Sequence, residues 1–138
     1  LFALFALFAS VMLASDTPDT SDLGEMVLGG GPGMSLYSFH GRGTLNGVMP
    51  HPGLVSLFEG VAQDRRISLQ RSAQVGVLTD LSYVQHVGAG VASIDLGFAM
   101  RYSHSSLEVC QLSDLEALSE LLIAGIQGIG PSFALERW

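Results

Sequence analysis

The chain has 138 residues, room for one domain that buries about two thirds of the surface its unfolded form exposes. Hydrophobic residues make up 48% and charged residues 14%, a composition that excludes intrinsic disorder. The formal net charge is −7 and all six cationic residues are arginines. No basic stripe is available to displace counterions from nucleic acid, and no basic amphipathic helix is available for a membrane surface.

The chain opens on LFALFALFASVMLA, an apolar run too short for a bilayer, which takes about 20 residues. It has the length of a secretory h-region but lacks a charged n-region and an initiator Met. Three readings stay open: a buried strand over 4–13, a signal remnant, or an artefact of the gene end, with 1–10 an atypical start. An opening this abrupt reads as a truncated chain. Residues 15–25 then form a polar loop with a Pro and several Asp residues, in which Asp16 and Asp19 are turn formers.

MVLGGGPGMSLYSF predicts a strand over 26–37, interrupted by three consecutive glycines where another backbone approaches closely. Residues 40–53 read as a second loop. A helix over 52–64 starts at Pro52, a residue suited to a first turn, and carries Leu54, Leu57, Phe58 and Val61 on one face. ISLQRSA is a short strand over 67–72. TDLSYVQHVG predicts a helix over 79–88, capped by Thr79 or Asp80 and stopped by Gly88.

The near-continuous apolar run AGVASIDLGF predicts a strand at 91–96 buried on both faces. The last helix, 113–128, has Ser113 and Glu116 as a capping box, with Leu115, Leu118 and Leu122 down one face. Strands alternating with helices give an α/β fold with a mostly parallel sheet. Ligands of such sheets gather beyond the carboxyl ends of the strands, and FAMRYSHSSLEV leaves a strand at such an end.

His104 is the leading candidate for chemistry. A neutral imidazole ligates zinc-like metals and stays oriented by donating its other N–H, for which Glu108 stands four residues on. Arg101 can hold a carboxylate or carbonyl, and Tyr102 can donate to an oxyanion. The bland alternative is a loop histidine beside an ion pair. Thr79-Asp80 reads first as a helix cap, although Asp80 also stands at a strand-to-helix turn. His40, His51 and His86 show no metal-ligand spacing. The glycines of LGGGPG lack the Lys-Ser/Thr of a phosphate loop and the spacing of a dinucleotide site. Cys110 is the sole cysteine, which excludes an intrachain disulfide and a thiolate cage and fits a reducing compartment, here taken as the cytoplasm.

In order, DTPD, GGGPGMSLYSFHGRGT, HPGLVSLFEGVA, TDLSYVQ, GVASIDLGFAMRYSHSSLEV and LSDLEAL resemble the C-terminal part of the FrvX/SgcX-type aminopeptidases. These belong to the glutamyl-aminopeptidase and tetrahedral-aminopeptidase family, and HGRGTLNG is most similar to the SgcX subgroup. The resemblance implies that 1–138 is the C-terminal portion of a three-layer, phosphorylase/hydrolase-like metallo-aminopeptidase domain. It further implies two divalent metal ions (zinc or cobalt), a peptide substrate and homo-oligomers. By the same resemblance His104 matches the family's last histidine ligand, and Ser10 stands where the family has an aspartate ligand. The other histidine, the bridging aspartate, the glutamate ligand and the glutamate base all lie upstream of this chain. The expectation is an enzyme portion that is inactive alone. A scaffold or interaction fragment that has lost its metals is the alternative, and a secreted small-molecule binder follows only from the signal reading.

Overall fold

The computed structural model describes residues 5–13, 26–39, 47–75 and 79–133. The elements run β1 (Phe5–Leu13), β2 (Gly33–Phe39), β3 (Gly47–Val48), α1 (Pro52–Arg65), β4 (Gln70–Val75), α2 (Leu81–Val84), β5 (Ala92–Arg101), β6 (Val109–Cys110) and α3 (Leu112–Gly128). The predicted loop 15–25 and residues 40–46 of the loop 40–53 lie outside the described residues.

The fold is α/β, and β5 is the centre of its sheet. On one edge β5 pairs with β1 in parallel, in register from Phe5↔Ala92 to Leu13↔Met100. On the other it meets β2 at Gly33↔Gly97 and Met34↔Leu96, then β6 at Met100↔Cys110 and Arg101↔Val109, both antiparallel. β2 pairs in parallel with β4 and antiparallel with β3. The sheet is therefore mixed, and the expected mostly parallel sheet is corrected. The two long pairings are parallel, while β3 and β6 each follow a partner strand within seven residues, too few for the crossover that parallel pairing needs.

One face of β5 builds the core. Ala92, Ile94 and Leu96 alternate along the strand and are buried with Met34 of β2, Leu54, Phe58 and Ala62 of α1, and Leu118 and Leu121 of α3. Leu57, Val61 and Leu122 pack at the margin of this cluster. Phe58 is fully buried, a transfer from water that stabilises the fold by about 2–3 kcal/mol. Residues Ala92 to Gly97 are all buried, as the apolar run predicts for a strand covered on both faces.

α1 begins one residue after His51, whose buried side chain caps the helix: Nδ1 accepts the Gly53 N–H at 3.1 Å. The helix ends at Arg66, whose left-handed backbone (φ 57) turns its N–H to the Ala62 and Gln63 carbonyls. The helix predicted over 79–88 is a single turn at 81–84, followed by turns that run to Gly88 and Gly90, both at positive φ. Gln85 ends it by turning its side-chain amide to the Gly47 carbonyl and the Met49 N–H.

The predicted capping box is also corrected. α3 starts at Leu112 with Gln111 at the cap, which makes no side-chain cap bond, so Ser113 lies inside the first turn. The strand predicted over 26–37 begins only at Gly33, because Gly29 (φ 80) and Gly31 (φ 94) adopt conformations foreign to a strand. A Cβ on Gly31 would collide with the Ser68 carbonyl, which is the close backbone approach that the triple glycine announces. The strand predicted over 67–72 begins at Gln70. Ile67 and Leu69 instead pack against the core from the preceding connection.

Candidate active site at the carboxyl end of the central strand

β1 and β5 run side by side, so their carboxyl ends open on the same edge of the sheet. Ser10 stands in register with Gly97, close to the last pair Leu13↔Met100. From Arg101 the chain enters a loop over 102–108, and β6 returns it against the end of β5, with Arg101 opposite Val109. The loop is thus pinned at its base while its tip faces solvent.

Within it, His104 and Tyr102 are exposed, and both adopt positive φ, 63° and 59°. Such backbone is unfavourable for residues with a Cβ and collects at functional loops. Glu108 accepts a hydrogen bond from His104 at 2.8 Å, but from its main-chain N–H. Glu108 thus meets His104 through the backbone. Ser105 tightens the turn: its N–H donates to the Tyr102 carbonyl at 3.2 Å and its hydroxyl to the Leu107 carbonyl at 2.8 Å. Arg101 is half-buried at the strand end.

Asp80 is exposed at the cap position of α2 and makes no side-chain cap bond. Among the described residues, no hydrogen bond or ion pair joins it to loop 102–108. The structure therefore gathers Arg101, Tyr102, His104 and Glu108 on one loop and keeps Asp80 on a separate element. His86 is exposed past the end of α2, and His40 lies outside the described residues.

Asp114 and Gln70, which no motif singled out, and His51, set aside for want of metal-ligand spacing, hold the surroundings in place. Asp114, buried in the first turn of α3, accepts the N–H of Gly29 at 2.8 Å and of Gly31 at 2.9 Å. Gln70 accepts the Val27 N–H at 2.9 Å and donates to the Val27 and Gly31 carbonyls at 3.0 and 2.8 Å. His51 caps α1 and donates its own N–H to the Ser93 carbonyl of β5 at 2.8 Å. The signal for His51 was its place directly before an N1 proline. Asp114 and Gln70 act over distances in sequence that no local pattern encodes.

A family model for the M42 glutamyl aminopeptidases matches residues 4–121. The chain belongs to the M42 glutamyl aminopeptidase family. SgcX of Escherichia coli (strain K12), named as a candidate aminopeptidase, is 35% identical over 119 residues, which cover 86% of this chain and 32% of SgcX. Aminopeptidase APDkam598 from Desulfurococcus kamchatkensis superposes with a TM-score of 0.82 at 30% identity, over 94% of this chain and 36% of its own. The TET1 peptidase of Pyrococcus horikoshii, which can assemble into a tetrahedron or a large octahedral shell, shares the fold at 20% identity. Its TM-score is 0.66, over 88% of this chain and 32% of TET1. The chain thus spans about one third of the length of these M42-type relatives. Among the described residues no helix is long and apolar enough to cross a membrane.

Proposed function

We propose that this chain is the C-terminal portion of an M42 aminopeptidase catalytic domain of three-layer form, and that the whole enzyme removes N-terminal residues from peptides. The observation that carries the reading is the position of Arg101, Tyr102 and His104 on a pinned loop at the carboxyl end of the central strand.

The family implies divalent metals, zinc or cobalt by the resemblance above. The donors present do not make such a centre: among the described residues no group of three or more His, Cys, Asp or Glu is placed to hold a metal. Ser10, with a neutral hydroxyl, stands where a carboxylate would be expected. His104 is then one donor to a centre completed by residues outside this chain. Tyr102, exposed beside it, offers a phenol N-terminal to the imidazole for a developing oxyanion, and Arg101 offers a guanidinium at the strand end. Glu108 acts on the loop backbone and Asp80 remains a candidate for substrate contact from α2.

The peptide substrate, a homo-oligomeric assembly and a cytoplasmic location complete the reading. Support for assembly comes from relatives such as TET1. A second reading, a scaffold that no longer binds metal, is favoured by the serine at position 10. The test is a chimera that joins the upstream two thirds of SgcX to this chain, assayed on amino-acid amides. His104→Ala should abolish its turnover. Full turnover in that variant overturns the catalytic reading.

A further inference from the structure

We propose that Glu108 is a positioning residue that sets the direction of the His104 imidazole through the peptide backbone. The proposal rests on the reading of His104 as a site residue. Among the described residues three non-glycine positions have positive φ: Arg66, Tyr102 and His104. Arg66 is accounted for, because it closes α1 and its N–H reaches the carbonyls of the last turn. The other two fall in one loop, two residues apart, and no helix end explains them.

What holds them is a set of contacts to main chain. The Glu108 carboxylate accepts the His104 N–H at 2.8 Å, a charge-assisted bond of the stronger kind. The Ser105 N–H closes the turn onto the Tyr102 carbonyl, and the Arg101↔Val109 pair fixes both feet of the loop. The φ of a residue sets where its Cα–Cβ bond points. A histidine released from the left-handed region returns to negative φ, the basin favoured for residues with a Cβ, and its ring swings away from its former direction. Functional groups need their direction held closely, and rigid support from outside the ring achieves it. Glu108 supplies that support from four residues along the chain, without touching the ring nitrogens that the site would use.

The experiment uses the isotopically labelled chain and its variants Glu108→Ala and Glu108→Gln, followed by NMR. Three quantities are read for His104: the amide-to-Hα coupling, assigned to one sign of φ by the intraresidue amide–Hα NOE that is strong only at positive φ, the amide exchange rate, and the imidazole ring resonances. Glu108→Ala should move the coupling to the negative-φ range, speed amide exchange by about tenfold and shift the ring resonances. Glu108→Gln, which keeps an acceptor oxygen at the same reach, should restore most of all three. The thermal midpoint should be unchanged in both variants, because the contact is exposed and far from the core. A His104 coupling and exchange rate unaltered by Glu108→Ala overturns the proposal, as does a Gln variant as disturbed as the Ala variant. Neither result bears on whether His104 is catalytic, which the His104→Ala chimera decides separately.

Discussion

Asp114 and Gly31 are far apart in sequence, yet the carboxylate of one accepts the backbone N–H of the other at 2.9 Å in a buried setting. The second carboxylate oxygen takes the Gly29 N–H, so one acidic side chain in the first turn of α3 satisfies two donors of the glycine loop. The negative charge also sits at the positive end of the helix dipole. Asp114→Ala should destabilise the chain by about 1–3 kcal/mol, since it leaves the buried Gly31 N–H without an acceptor, while the exposed Gly29 N–H can turn to water. Asp114→Asn should cost less, because one carbonyl oxygen remains. Urea unfolding of the two variants checks the order, and equal midpoints for Ala and wild type would rule the clamp out.

Two helical glycines should respond oppositely to alanine. A Cβ on Gly125 of α3 would overlap the Phe58 ring, buried in the core of α1, whereas a Cβ on Gly60 meets nothing within 4 Å. Gly60→Ala should stabilise by about 0.5–1 kcal/mol through helix propensity. Gly125→Ala gains the same propensity but must displace Phe58, and overpacking of about 1–3 kcal/mol outweighs it. Thermal melts should therefore move in opposite directions. A melting temperature raised by Gly125→Ala would show that the α1–α3 contact can relax.

Features with local causes were legible in the sequence, and features set by distant contacts were not. Leu54 with Phe58, and Leu118 down α3, were legible because helical periodicity is written within a few residues. The two-face burial of β5 was legible because its apolar run is continuous. Ser113 as a cap was not, because Asp114 is held by Gly29 and Gly31 and the helix starts at Leu112. The mixed sheet was missed because β3 and β6 are too short to show a period. At the site, residue types pointed to His104 and its loop, but the positive φ of Tyr102 and His104 and the target of Glu108 are set by tertiary geometry.

β1 presents a further consequence of the topology. Among the described residues it pairs with β5 alone, so a nine-residue strand has one edge of backbone N–H and C=O groups without a strand beside it. Open edges of this length template pairing with another chain. The isolated chain should self-associate, and replacing Ala9 on this strand by Pro, which removes one donor and obstructs pairing, should weaken the association. Sedimentation that finds a monomer at high concentration counts against an open edge.

The isolated chain should release no product from amino-acid amides, even with zinc or cobalt added. Catalysis by a constellation of groups fails when most members are absent, and the described residues offer no cluster of three ligating side chains. Product formed above a blank that contains metal but no protein would overturn this expectation.

In the SgcX chimera, the residue at position 10 should decide how firmly one of the two metals is held. Register places Ser10 beside Gly97, near the carboxyl end of β1, on the edge where loop 102–108 leaves β5. By the family resemblance this position is one of the anionic donors, and a hydroxyl supplies no charge to a divalent ion. The metal that faces His104 should then be held more weakly than its neighbour, and the chimera should carry less than two metal equivalents and turn over slowly. Ser10→Asp restores an anionic oxygen, so metal content and turnover should both rise, with affinity gaining at least the roughly tenfold that even an outer-shell partner of a ligand contributes. Ser10→Asn, similar in size but neutral, should recover little. Metal analysis alongside turnover separates the two effects. If Ser10→Asp changes neither, residue 10 is not the ligand position, and the alignment of β1 with the family is out of register.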